Sequence, residues 1–102
     1  VTDARGRARY ELHLDGRLVG FCEYAPRPGR LEFRHVEVDP ELRGRGLATR
    51  LVRAALSDVR MRGGLVEPTC PFVRHVLGRN PEFSEVIFSA PVDPLTKGLK
   101  RT

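Results

Sequence analysis

The sequence predicts an α+β domain in which a mostly antiparallel central sheet is backed by one main helix and a second, shorter one. Up to Val38, apolar and polar residues alternate at the two-residue period of half-buried strands. From Leu47 to Val59 the apolar spacing changes to that of an amphipathic helix. Asp15-Gly16, the Pro- and Gly-rich stretch at Ala25 to Gly29, and Gly63-Gly64 punctuate these segments where the chain must turn or stop.

Between Ala8 and Leu14, Tyr10, Leu12 and Leu14 alternate with Arg9, Glu11 and His13, and Arg17 to Tyr24 returns as a second strand. Asp15-Gly16 joins the two as a two-residue hairpin, because both residue types tolerate positive φ. His13 reads as a solvated strand residue and Cys22 as a small core filler. Ala25-Pro26-Arg27-Pro28-Gly29 is expected to break the pairing and turn the chain. In the third strand, Leu31 to Val38, the apolar parity changes: Leu31 and Phe33 share one, Val36 and Val38 the other. A β-bulge near Arg34-His35 accounts for the switch, the alternative being a strand covered on both faces.

Asp39-Pro40 ends that strand, and a loop with Arg43, Gly44, Arg45 and Gly46 leads into the helix. Glycines without a Cβ let a ligand approach the main chain, and the first helical turn presents unpaired N–H groups and the positive end of its dipole. Such a place suits a phosphate. The two arginines favour a diphosphate over a lone carboxylate. A Walker loop is excluded, since no lysine precedes Lys97, and a dinucleotide fingerprint fails because Thr49 stands where its third glycine belongs. The ligand-free alternative is a solvated Gly-rich turn.

In the helix, Leu47, Ala48, Leu51, Val52, Ala55, Leu56 and Val59 occupy one face, and Thr49, Arg50, Arg53, Ser57 and Arg60 the other. Gly63-Gly64 ends it, and Leu65-Val66-Glu67 reads as a short buried strand. Pro71 suits the first position of the next helix, whose stripe is Phe72, Val73, Val76 and Leu77. Cys70 therefore sits at or beside an N-cap, where a thiolate is stabilised by unpaired N–H groups. Its bland alternative is a small residue buried at a tight turn. Asn80-Pro81 closes this helix. Val86-Ile87-Phe88 is expected as an edge strand or as a tail packed on the core, with the core spanning about 8–90 and 91–102 a mobile terminus.

A chain of 102 residues is read as a single domain. It holds no apolar run long enough for a membrane span. The first residues lack the apolar core of a signal peptide, which gives the expectation of a cytoplasmic protein. Cys22 and Cys70 make no disulfide framework and are expected as free thiols. A net charge of +5 permits an anionic partner. The basic residues are nearly all arginines spread along the whole chain, the aromatic content is 7%, and no zinc-finger spacing occurs, which together argue against a nucleic-acid reader.

Arg43-Gly44-Arg45-Gly46-Leu47-Ala48 resembles the Gln/Arg-x-x-Gly-x-Gly/Ala signature of the GNAT acetyltransferase superfamily. From about Tyr10 to Phe83 the chain resembles the small, single-domain GNAT-like acetyltransferases. The likeness rests on four features in order: the Asp15-Gly16 hairpin, the His-x-Glu-Val segment at His35 to Val38, the Arg43 to Ala48 loop, and Pro68-Thr69-Cys70-Pro71 followed by a short helix and Pro81-Glu82-Phe83. The resemblance implies a GNAT-like fold whose sheet opens beside the cofactor helix. It implies acetyl-CoA bound along Val36 and Val38 with its pyrophosphate on Arg43, Gly44, Arg45, Gly46, Leu47 and Ala48, and His35 and Cys70 near the thioester. His75 and the arginines of the main helix are candidates to border the adenosine 3′-phosphate, and no spacing chooses among them.

Two departures bear on function. The family's His-Pro-Glu-aromatic segment appears as Asn80-Pro81-Glu82-Phe83, and the hairpin leaves no room for the helices that usually shape the acceptor pocket. The acceptor site is then expected to be open, as suits an amine on a protein side chain or another bulky acceptor. Acetyl transfer to an amine needs a deprotonated amine, a polarised carbonyl and a stabilised leaving thiolate. Main-chain N–H groups at Val36 to Val38 are the candidates for polarisation, and His35 for the base, since imidazole titrates near neutrality. A strand histidine satisfied by its neighbours is the alternative for His35. Cys70 is a candidate acyl acceptor or acid; Tyr10 and Tyr24 both lie in the early hairpin, away from it. The rival from another class is a non-catalytic acyl-CoA-binding module, with a basic nucleic-acid-binding domain third.

Overall fold

In the computed structural model, which describes residues 1–89, five strands form one sheet in chain order. They are β1 (Thr2–Ala4), β2 (Arg9–Leu14), β3 (Arg17–Arg27), β4 (Arg30–Val38) and β5 (Val66–Pro68). The first four pair antiparallel, and β5 joins β4 in parallel. Two helices, α1 (Leu47–Met61) and α2 (Pro71–Arg79), flank β5 in the chain. The terminus 91–102, expected to be mobile, lies outside the described residues.

The Asp15-Gly16 turn has φ of 52° and 77°, the paired positive values of a type I′ hairpin. The expected break at Ala25 to Gly29 is shorter than the sequence suggests. β3 runs on to Arg27, with Pro26 opposite Leu31, and only Pro28 and Gly29 turn. Pairing between β2 and β3 stops at Arg9 and Glu23, so beyond that point β3 has a strand neighbour on one side only. A proline is tolerated where one side of a strand is open. β1 was not expected: three residues are too few to show a period, and Asp3 within it is anchored by the Tyr24 hydroxyl, which donates to its Oδ1 at 2.6 Å.

The bulge expected near Arg34-His35 is present. Glu23 faces His35 and the next residue, Tyr24, faces Phe33, so Arg34 is the extra residue of β4. A second irregularity, without a sequence signal, leaves Val19 extra on β3 between Leu18 and Gly20.

Both helices lie on one face of the sheet. Leu51, Val52, Ala55, Leu56 and Val59 of α1 and Val73, Val76 and Leu77 of α2 share one buried cluster with Tyr10, Leu12, Cys22, Tyr24 and Phe33. Cys22 is the core filler its position suggested. Arg9, Glu11, His13, Phe21, Glu23, His35 and Glu37 have the opposite parity across the same strands; neither α1 nor α2 covers that face, where Arg7 and Arg9 bond and bury Glu11. After α2, Pro81–Val86 form a 3-10 turn that buries Phe83 and Val86. Ile87 then makes a single bridge to Val66, and Phe88 N–H donates to Val66 O at 2.7 Å, so the last described residues extend the sheet by one short contact.

Candidate functional site

The site grows from the place where β4 outruns β5. β5 pairs with β4 only at Leu31 to Phe33, after which the N–H groups of Thr69 and Cys70 both donate to Phe33 O, at 3.2 and 3.1 Å, and the chain leaves into α2. From Arg34 onward, the far edge of β4 has no strand beside it among the described residues. The bulge decides what that edge offers. Leu31 N–H donates toward β5, and Asp39 N–H donates to Val19 O on β3 at 2.8 Å. Counting back by two from Asp39, Glu37 and His35 turn their main-chain groups to β3, while Val36 and Val38 turn theirs to the open edge. In a regular strand, with Arg34 paired rather than bulged, the two valines would face β3 instead.

The open edge runs into the loop. Asp39 caps a 3-10 turn over Pro40–Leu42 by accepting from Glu41 N–H. Gly44 and Gly46 follow with φ of 82° and 71°, and Gly46 is the N-cap of α1. The first main-chain donation of the helix is Arg50 N–H to Gly46 O at 3.0 Å. The N–H groups of residues 44–49 make no hydrogen bond among the described residues. Alternating αL residues in a run of unbonded amides are the kind of backbone that can hold an anion. Arg43 and Arg45 are exposed, and neither has a carboxylate partner among the described residues. The cleft at this point measures about 220 Å³ and is lined by Val38, Leu42, the loop, Thr49 and Phe72.

His35 lies on the uncovered sheet face. Its Nε2 is 3.0 Å from Glu37 Oε1, the side chains being 53% and 62% exposed, and its ring centroid is 6.0 Å from that of Phe21. Cys70 is on the other side. It is the N-cap of α2, makes no side-chain cap bond, and is only 7% exposed within the core cluster. The structure thus places His35 and Cys70 on opposite sides of β4, with no hydrogen bond between them. The loop residues and the two valines form one continuous strip.

Neighbouring titratable groups are committed elsewhere. Burial, followed by the nearby Cys70 thiol and Glu23, pushes the Cys22 thiol up to about 12. Tyr10 donates its hydroxyl to Asp58 Oδ2 at 2.6 Å, and burial is the largest cause raising its phenol. Tyr24 is pushed up to about 12, by burial first and then by its bond to Asp3. Glu32 is held low by Thr69 Oγ1, which donates to it, and by Arg27. Both cysteines are free.

Sequence reasoning passed over Glu37 and Phe72 as site residues. Glu37 could have been found, since it stands two positions after His35 and must share its strand face. Phe72 reads as a core residue by helical spacing and is only partly buried, because α2 turns that position toward the loop cleft.

The description GCN5-related N-acetyl-transferase belongs to a family model that matches residues 9–86. Among solved structures the chain is similar to a protein from Staphylococcus aureus described as a GCN5-like N-acetyltransferase. The TM-score is 0.62 at 17% identity, over 85% of this chain and 87% of that one. It is also similar to a protein from Desulfovibrio desulfuricans described as an acetyltransferase of the GNAT family, with a TM-score of 0.52 at 23% identity, over 80% of this chain and 54% of that longer one. No curated protein is matched by the sequence. A family match across most of the chain, on a fold whose fourth strand and main helix part around a glycine loop, makes this protein a member of the GCN5-related N-acetyltransferase family.

Proposed function

We propose that this acetyltransferase takes its acetyl group from acetyl-CoA and delivers it to an exposed amine on a protein side chain or another bulky acceptor. The observation that supports this most is the run of unbonded main-chain N–H groups at residues 44–49, continuous with the open edge of Val36 and Val38. Six amides, two αL glycines without Cβ atoms and two guanidiniums with no carboxylate partner among the described residues match the charge and the close approach of a diphosphate. The residues present therefore fit acetyl-coenzyme A, whose thioester would supply an activated acetyl group.

The chain's own groups then divide the work. Arg43, Arg45 and the amides of Gly44 to Ala48 would hold the diphosphate, and the outward main-chain groups of Val36 and Val38 would bond the amide-bearing arm. An N–H on this edge would polarise the reacting carbonyl. His35 removes the proton from the attacking amine, and Glu37 fixes the imidazole through its Nε2 contact. Cys70, at the vertex where β4 and β5 part, is the candidate acid or acyl acceptor on the core side. The uncovered face that carries His35 supports an acceptor too large for an enclosed pocket.

Thermal unfolding with and without CoA tests the binding half, because a ligand at about 100 times its dissociation constant adds about 2.7 kcal/mol of stability. Turnover of acetyl-CoA with a lysine-containing peptide and with a polyamine tests the other half. Binding without turnover on either would leave a non-catalytic acyl-CoA-binding module. No shift with CoA would remove the diphosphate reading.

A further inference from the structure

A groove of about 530 Å³ follows the solvent side of α1, and Arg50, Arg53, Arg60 and Glu82 supply its charge. Gly46 and Thr49 line both this groove and the loop cleft, so the two adjoin. The three guanidiniums are not equally free. Arg60 donates to Glu82 O at 3.0 Å and stacks over the Phe83 ring at 5.3 Å. Arg53 lies 3.4 Å from Glu82 Oε2, with the two side chains 52% and 45% exposed, a pairing that water readily loosens. Arg50 has no carboxylate partner among the described residues. Glu82 is the one carboxylate among the groove's described lining residues, against the guanidiniums of Arg50, Arg53 and Arg60.

Arg50 stands four residues past Gly46, about 6 Å along the helix axis, and is turned to the same side as Arg53. That rise is about the breadth of one sugar. Two arginines opposed by a single, half-exposed carboxylate are suited to a phosphate monoester, which accepts paired N–H donors.

We propose that Arg50 and Arg53 bind the 3′-phosphate on the ribose of coenzyme A and so let the protein distinguish CoA from its 3′-dephospho form. This rests on the loop binding the diphosphate. It selects two of the α1 arginines over His75, which lies on α2 and does not line this groove.

Calorimetric titration of the native protein with CoA and with 3′-dephospho-CoA tests the assignment, repeated in Arg50→Ala/Arg53→Ala and in Arg50→Lys. Native protein is expected to bind CoA about tenfold more tightly than the dephospho form. In the double-alanine variant the gap should close through weaker CoA binding alone, and Arg50→Lys should keep part of it. Equal native affinities, or equal losses for both ligands in the double variant, would overturn the subsite and leave the loop reading standing. Failure of the native protein to bind either ligand would overturn both. A phosphoserine peptide that gains as an acceptor from the two arginines, with no gap between the CoA forms, would assign them to the acceptor and likewise overturn the proposal.

Discussion

His35 Nε2 lies 3.0 Å from Glu37 Oε1 on the exposed face of β4. Two positions apart on one strand, the side chains rise from the same face, so the contact needs no long-range packing to form. The pair stands beside the edge that the bulge at Arg34 turns outward, and its neighbour on β3 is the Phe21 ring.

From that pairing, His35→Ala is expected to lower kcat about 100-fold, the usual worth of a positioned general base, with CoA affinity unchanged. Glu37→Gln should lose less, because the imidazole stays and only its orientation loosens. Steady-state turnover alongside calorimetric CoA binding checks both. An unaltered rate in His35→Ala would return His35 to the role of a surface strand residue.

Gly44 and Gly46 have positive φ, and a Cβ built on either meets nothing within 4 Å. Alanine at each position should therefore cost about 1–2 kcal/mol through backbone strain alone. CoA affinity should fall further, because the methyl stands where the diphosphate approaches. Gly44→Asn tolerates the αL conformation, so it should keep its Tm and still bind CoA more weakly. Thermal melts beside CoA titrations separate strain from access.

Gly20 tests the coupling between β3 and the open edge. A Cβ there would lie 3.0 Å from Glu37 O and from Val38 Cγ2. Gly20→Ala is expected to destabilise by about 1–3 kcal/mol and, by displacing Val38, to weaken CoA binding. A variant that loses stability and keeps native CoA affinity would show that the edge adjusts independently.

The two tyrosines predict an alkaline limit. A phenol whose folded pKa exceeds its unfolded value of about 10 binds its proton more firmly in the folded state. Its stabilising share is complete below the unfolded value and is lost as pH rises toward the folded one, about 12 for Tyr24. Phenolate absorbance should therefore lag that of free tyrosine and appear together with loss of the far-ultraviolet signal. Early ionisation in a still-folded protein would contradict the Tyr10–Asp58 and Tyr24–Asp3 bonds.

For the thiols, burial predicts that Cys22 resists alkylation in the native protein. Cys70, 7% exposed, should accumulate no acetyl adduct when intact mass is measured after mixing with acetyl-CoA, and Cys70→Ala should lower turnover without abolishing it. A stable adduct on Cys70 would establish the covalent route instead.

Local chemistry made much of this protein legible from its sequence. The hairpin at Asp15-Gly16, the face of α1, the Pro71 start of α2 and the bulge at Arg34 each follow from residues within one turn or one strand of each other. The glycine loop was readable for the same reason: φ, a missing Cβ and a helix start are properties of a few adjacent residues. Tertiary structure alone decided the rest. Pro26 stays in the sheet because β2 ends beside Glu23, and β1 holds because Tyr24 reaches Asp3. His35 and Cys70 part to opposite sides of β4 because the strand's pleat and the packing of α2 are set by partners distant in sequence. Periodicity says which residues share a face, while the face that meets the helices depends on the burial of the whole core.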